Sequence, residues 1–126
     1  MIYRTRPVQK PILVVEDEFM IAMDYEARLL DAGYGKVAVA TTVAAAKSAL
    51  EAEPVACALL DFNLRGETTA ELARQLKTAG IPVIFLTGKD AAGLPDDLND
   101  IPVLSKPVVW ESVETWLSDS SRESLA

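Results

Sequence analysis

Residues Val55–Ala56–Cys57–Ala58–Leu59–Leu60 form an uncharged apolar run that stops at a carboxylate, Asp61. A short continuous run of this kind reads as a strand buried on both faces, the pattern of a parallel sheet covered by helices. In open sheets of that class, ligands sit outside the carboxyl ends of the strands. Asp61 is thereby placed at the mouth of a candidate site, held by a rigid element. An aspartate at such a place is also a common turn former, so the other strand ends must decide its role.

The remaining strands are found by the same signature. Ile12–Val15 is apolar throughout and β-branched apart from Leu13, and it runs into Glu16–Asp17–Glu18. Lys36–Ala40 reads as a second short strand, Ile81–Thr87 as the fourth and Pro102–Leu104 as the fifth. Pro82 is tolerated because it stands at a strand's beginning. Helices are expected between them: Glu18–Ala32, Val43–Glu53, Thr68–Ala79 and Val109–Leu117. Their inward stripes are read as Ala22, Tyr25 or Glu26, Leu29 and Leu30; Ala45, Ala49 and Leu50; Leu72, Ala73 and Leu76; and Val109, Val113, Trp116 and Leu117, with Trp110 beside them. Gly33 and Gly80 supply stops, Thr41 or Thr42 a cap, and Gly66 the turn after Asp61. Residues 88–100 carry Gly93, Pro95 and four aspartates, so one irregular turn is expected there rather than a full helix.

Five strands alternating with helices imply a doubly wound α/β fold with right-handed crossovers. The 126 residues make one domain with a real core. It is read as an N-terminal arm over 1–10, a domain over 11–118 and a polar tail over 119–126 that frays. The net charge of −7 argues against a general nucleic-acid surface and suits a divalent-cation site. The single Cys57 lies inside an apolar run and gives no disulfide framework, which points to a reducing compartment, the cytoplasm. No apolar run approaches a membrane span, and no signal-peptide core precedes the first strand. The chain has no histidine. That excludes histidine metal sites, Ser-His triads and any phosphohistidine carried by the chain itself.

The chemistry gathers at strand ends. Glu16 and Asp17 end the first strand, Asp61 the third and Thr87 the fourth, and Lys106 follows the fifth. If strands one and three are neighbours, three carboxylates converge. Two such charges ~4 Å apart repel by about 4 kcal/mol at an effective dielectric near 20. Mg²⁺, with its preference for hard oxygen ligands, would offset this, and Lys106 would neutralise part of the remainder. A carboxylate flanked by metal, hydroxyl and ammonium suits phosphoryl transfer through an aspartyl phosphate. The plain alternative is a set of ordinary strand-end residues at loop boundaries.

Val14–Val15–Glu16–Asp17–Glu18, Leu60–Asp61–Phe62–Asn63–Leu64, Leu86–Thr87–Gly88 and Ser105–Lys106–Pro107 together resemble the motifs of response-regulator receiver domains, in the same order and over residues 11–118. The resemblance implies a flavodoxin-like five-stranded parallel sheet of order 2-1-3-4-5, with the fourth helix short or irregular. It implies a two-component or phosphorelay switch and not a conventional enzyme. Asp61 matches the phosphoacceptor, Asp17 the direct Mg²⁺ ligand, Glu16 the neighbouring acid, and Asn63 the residue whose backbone carbonyl binds the metal. Thr87 matches the hydroxyl that moves to the phosphoryl group and Lys106 the lysine that pairs with it; the bond before Pro107 is often cis in the family. The implied donor is a phosphohistidine on a sensor histidine kinase or phosphotransfer protein, with a downstream regulatory protein as further partner.

The chain departs from that pattern at two places. Val103 stands where the family usually has a switching aromatic residue, and the interval from Thr87 to Lys106 is short. These features are similar to those of a subset of receivers with an altered fourth helix. With no effector domain after the last helix, the resemblance points to a stand-alone receiver, and reordering of residues 88–100 is the expected response to phosphorylation. Two other classes compete: a degenerate receiver acting as a constitutive protein-binding module, and an aspartate-based phosphatase of the haloacid-dehalogenase type. The latter wants a second aspartate where Asn63 stands. A flavodoxin-like nucleotide binder would want a phosphate-cradling glycine-rich loop after a strand.

Overall fold

The structure, a computed structural model, describes residues 10–88 and 93–125. Most of the expected arm and part of the 88–100 segment lie outside these. The elements follow in order: β1 (Ile12–Val15), α1 (Phe19–Asp31), β2 (Val37–Ala40), α2 (Val43–Ala52), β3 (Cys57–Asp61), β4 (Asn63–Leu64), β5 (Glu67–Thr68), α3 (Ala70–Thr78), β6 (Val83–Thr87), a 3-10 turn (Asp96–Leu98), β7 (Val103–Ser105) and α4 (Trp110–Leu125). Five strands make one sheet in the order β2-β1-β3-β6-β7, every neighbour parallel. This is the doubly wound arrangement expected. Strands β4 and β5 form a separate antiparallel hairpin after Asp61, which the sequence reading reduced to a turn.

The continuous apolar runs are explained by two cores. Leu13, Val15, Ala58, Leu60, Val83 and Phe85 face one side, packed against α2, α3 and the 3-10 turn. Ile12, Val14, Cys57, Leu59, Ile84 and Leu86 face the other, under α1 and α4. Alternate side chains of β1, β3 and β6 serve opposite layers, so in these strands no position is left for a polar residue until the strand ends.

Two helices end in the same way. At α3 the Gly80 N–H donates to Lys77 O (3.0 Å) and the Ile81 N–H to Leu76 O (2.9 Å). At α1 the Gly33 N–H donates to Leu30 O (3.1 Å) and the Tyr34 N–H to Leu29 O (3.1 Å). Both are Schellman closures, and the glycines sit at φ 76° and 99°, where a side chain is strained. Helix α2 starts at Thr42, whose Oγ1 accepts from the Ala45 N–H at 3.0 Å.

Several expectations need correction. Leu30 is exposed, and Tyr25, not Glu26, belongs to the buried stripe of α1. The inward positions of α2 are Val43, Ala46, Ala49 and Leu50, while Ala45 faces solvent. Val109 is exposed and precedes α4. In each case helical spacing gives the period but not the phase, which tertiary packing sets. The last helix continues to Leu125, past the end expected at Leu117. No Gly or Pro interrupts 118–125, and serine costs a helix only about half a kcal/mol, so nothing local stops it.

The segment from Gly93 onward is irregular, as expected, but it is anchored. Leu98 and Ile101 are buried in the core beside α3. Arg74 on α3 forks onto Asp97, with Nε–Oδ2 at 2.7 Å and Nη2–Oδ1 at 3.1 Å. Lys77 donates to Asp97 O at 3.0 Å and to Asp100 Oδ1 at 2.8 Å. The Arg74 hydrogen bonds hold the Asp97 carboxyl below the usual range, and the Lys77 hydrogen bond does the same for Asp100. Asp97 and Asp100 are therefore paired with α3. Leu98→Ala is expected to destabilise the chain by about 2–4 kcal/mol, a core-sized loss measured by urea unfolding. A change near zero would show that the segment is only laid on the surface.

Candidate functional site

The strand ends converge at one edge of the sheet. Glu16 follows β1, Asp61 closes β3, Thr87 closes β6 and Lys106 follows β7. The parallel pairing of β1 with β3 and of β3 with β6 brings them together. Carboxylate oxygens of Glu16, Asp17 and Asp61 all lie within 4.8 Å of one another. The Lys106 ammonium bridges two of them, at 2.7 Å from Glu16 Oε1 and 3.1 Å from Asp61 Oδ2. Its main chain is tied as well, since the Lys106 N–H donates to Thr87 O at 2.7 Å. The Lys106–Pro107 peptide bond is cis.

Glu16 Oε2 accepts from the Glu18 N–H at 3.0 Å, which fixes the carboxylate over the start of the β1–α1 connection. Asp17 Oδ2 accepts from the Arg65 N–H at 3.1 Å, and the Arg65 side chain, 84% exposed, approaches the same oxygen at 3.5 Å. Asn63 opens β4, two residues beyond Asp61, with its side chain in solvent. Thr87 is fully buried, and its Oγ1 has no hydrogen-bond partner. A buried hydroxyl without a partner costs free energy unless a ligand or a movement supplies one.

Charge is concentrated here. Burial raises the Asp61 carboxyl above its ordinary range, against the opposing pull of Lys106. Burial raises Glu16 in the same way, its hydrogen bond from Lys106 notwithstanding. For Lys106 burial acts downward, but the Glu16 hydrogen bond and the Asp61 charge outweigh it and the ammonium is pushed up to about 12. Three carboxylates against one half-buried ammonium leave two negative charges, and Arg65 is too exposed to cancel one of them fully. The donor set is oxygen only, with no sulfur or imidazole among the cluster. It fits a hard divalent cation. Cys57 takes no part: burial pushes its thiol up to about 12, and it packs as a small apolar residue.

The site thus joins Glu16, Asp61 and Lys106 by direct contact, with Asp17 within 4.8 Å of both carboxylates and Thr87 on the neighbouring strand end. Two contributors went unread in the sequence. Arg65 holds Asp17 through its backbone, and Thr69, wholly buried, donates from Oγ1 to Asp61 O at 3.0 Å. The tandem Thr68–Thr69 ahead of an apolar helical stripe was the available signal for the latter.

The model for the response regulator receiver domain matches residues 12–108. The chain belongs to this family. It is 39% identical over 79 residues to the phyllosphere-induced regulator PhyR of Methylorubrum extorquens, a match covering 60% of this chain and 30% of PhyR. The chain therefore spans less than a third of that relative's length. Among solved structures it resembles SdrG from Sphingomonas melonis Fr1, at 34% identity and a TM-score of 0.75 over 91% of this chain and 98% of SdrG. It also resembles the BeF3-activated conformation of SdrG from Pseudomonas melonis Fr1, at 36% identity and a TM-score of 0.72 over 88% and 95%. A receiver protein from Sinorhizobium medicae shares the fold at a TM-score of 0.77 and 22% identity, over 93% and 98%. Receiver domains are signalling proteins that bind a metal at an acidic pocket, and this receiver has the corresponding acid cluster. Among the described residues no helix is long and apolar enough to cross a membrane.

The raised carboxyl groups give a pH dependence with a definite sign. A carboxyl whose folded value lies above its unfolded one adds stability that is full below about pH 4 and is lost as pH rises through the folded value. At neutral pH the metal-free receiver therefore carries the burial cost of the Asp61 charge. Asp61→Asn is expected to stabilise it there by about 1–3 kcal/mol, and the advantage is expected to shrink on acidification. Urea unfolding of both proteins between pH 4 and 7.5 in chelator checks this. An advantage that stays constant with pH would refute the assignment of buried charge.

Proposed function

We propose that this receiver accepts a phosphoryl group on Asp61 from a phosphohistidine of a partner kinase or phosphotransfer protein, with Mg²⁺ as cofactor, and that the modification alters its protein contacts. The observation that carries the reading is the Lys106 ammonium lying between Glu16 and Asp61, beside the third carboxylate of Asp17. Glu16, Asp17, Asp61 and the Asn63 carbonyl would hold Mg²⁺, which when bound would neutralise charge on the transferring oxygens. Support for this also comes from the SdrG likeness, since that relative adopts a BeF3-activated conformation.

The residues of the chain divide the work. An Asp61 oxygen attacks phosphorus; the new O–P bond forms as the P–N bond to the donor imidazole breaks, the electron pair stays on that nitrogen, and the imidazole leaves neutral with the proton already carried on its other ring nitrogen. Lys106 faces the developing charge from a fixed position, so little reorganisation is needed. The unpartnered Thr87 hydroxyl is available to donate to a phosphoryl oxygen. The absence of histidine from these 126 residues fits a donor phosphohistidine that lies outside them. A cytoplasmic place in a two-component or phosphorelay system follows from this reading.

Incubation with Mg²⁺ and a small phosphodonor is expected to add one phosphoryl group by intact mass, none to Asp61→Asn, and to load Lys106→Ala more slowly. Mg²⁺ is expected to raise the melting temperature of the wild type in the millimolar range and much less that of Asp17→Asn, because a ligand bound only by the folded state stabilises it. Acid-stable phosphate on Ser105 or Thr87, with none on Asp61, would refute the reading.

A further inference from the structure

Four polar or charged residues are buried among those described: Glu16, Asp61, Thr87 and Thr69. The first three stand at the strand ends of the acid site. Thr69 does not, and it is 0% exposed. A buried hydroxyl is costly unless it is bonded, so its partners indicate what it is for. They all lie on the two peptides at the phosphoacceptor. Thr69 Oγ1 donates to Asp61 O at 3.0 Å, with Phe62 O at 3.5 Å, and the Thr69 N–H donates to Phe62 O at 3.0 Å.

Helix capping does not account for this side chain. Thr69 stands at the N-terminal boundary of α3, yet its oxygen accepts no bond from the first turn of the helix. Thr42, in the same place on α2, does accept one. The Thr69 hydroxyl turns back toward the strand instead, while its carbonyl takes the Ala73 N–H at 2.8 Å and so starts α3. One residue therefore joins a helix to the main chain of Asp61. It also closes the base of the β4–β5 hairpin, whose tip is tied by the Arg65 N–H to Asp17 and whose second strand is tied by Glu67 Oε2, which accepts from the Val43 N–H at 3.2 Å.

We propose that Thr69 is a positioning residue for phosphoryl transfer: its hydroxyl fixes the Asp61 peptide, and through it the direction in which the Asp61 carboxylate and the Asn63 peptide face the cation and Lys106. The inference rests on the phosphoacceptor reading of Asp61. A shift of that peptide carries the Asp61 Cα with it, and so Cβ and both carboxylate oxygens. A displacement of about 1 Å is enough to cost on the order of a hundredfold in a reaction that depends on alignment.

The test compares Thr69→Val, which keeps the shape and removes the hydroxyl, with Thr69→Ser, which keeps the hydroxyl. Leu76→Val, buried on α3 outside the acid cluster, controls for loss of stability alone. Loading from a small phosphodonor is followed by intact mass at saturating Mg²⁺, and apparent Mg²⁺ affinity by thermal shift. Thr69→Val is expected to load about tenfold more slowly and to bind Mg²⁺ several-fold more weakly, the scale of one lost hydrogen bond, with Thr69→Ser within about twofold of wild type. Leu76→Val is expected to melt lower yet load normally. If Thr69→Val does not fold, Thr69→Ala below its transition serves in its place. A hydroxyl-free variant that loads and binds Mg²⁺ like wild type, or a serine variant as impaired as valine, overturns the role of Thr69. A wild type that takes up no phosphoryl group overturns the phosphoacceptor reading itself.

Discussion

Everything at the functional edge depends on one ammonium between two buried carboxylates. Lys106 lies 90 residues from Glu16 and 45 from Asp61 along the chain, yet reaches both at hydrogen-bond distance. Only the parallel sheet makes that possible, because its order puts β1 and β3 side by side and sets β6 between β3 and β7. Desolvating these charges costs more than the pairing returns, which is why burial raises both carboxyls despite the lysine. The arrangement is a poor way to stabilise a fold and a good way to keep an oxygen cluster short of positive charge. The two apolar layers on either side of the sheet supply the stability that the site consumes.

The sheet and the acid cluster were legible in the sequence for one reason. A strand covered on both faces is apolar throughout, so the first polar residue after each run marks where the chain emerges at the carboxyl end. Glu16, Asp61 and Thr87 are those residues; Lys106 instead follows Ser105 at the end of the edge strand β7, which is not covered on both faces. Helix ends were legible where a glycine had to adopt positive φ, at Gly33 and Gly80. What could not be read was phase and distance. Leu30, Ala45 and Val109 fit a helical period but point outward, because packing chooses which of two adjacent stripes is buried.

Long-range polar contacts were equally hidden. Nothing near Asp97 or Asp100 announces that Arg74 and Lys77 will bind them from a helix more than twenty residues earlier. The hairpin after Asp61 was missed because Asn63–Thr68 alternates too briefly to declare itself. Its register is set by contacts with Asp17, Val43 and Asp61, all outside the segment.

The same contacts bear on how a local charge change can spread. Val103 on the edge strand β7 is too short to swing between buried and exposed positions, and it is already part-exposed. The 3-10 turn and Ile101 are held to α3 by core packing and by the paired aspartates. Lys106, in contrast, is four residues from Trp110, the first residue of α4, which stacks on Tyr25 with centroids 5.9 Å apart and carries Arg28 over its ring at 5.6 Å. Tyr25 is itself raised above its usual range by burial and feels the charges of Lys106, Glu16 and Asp61. The acid site is thus connected along the chain, from Lys106 to Trp110, with the contact between α1 and α4.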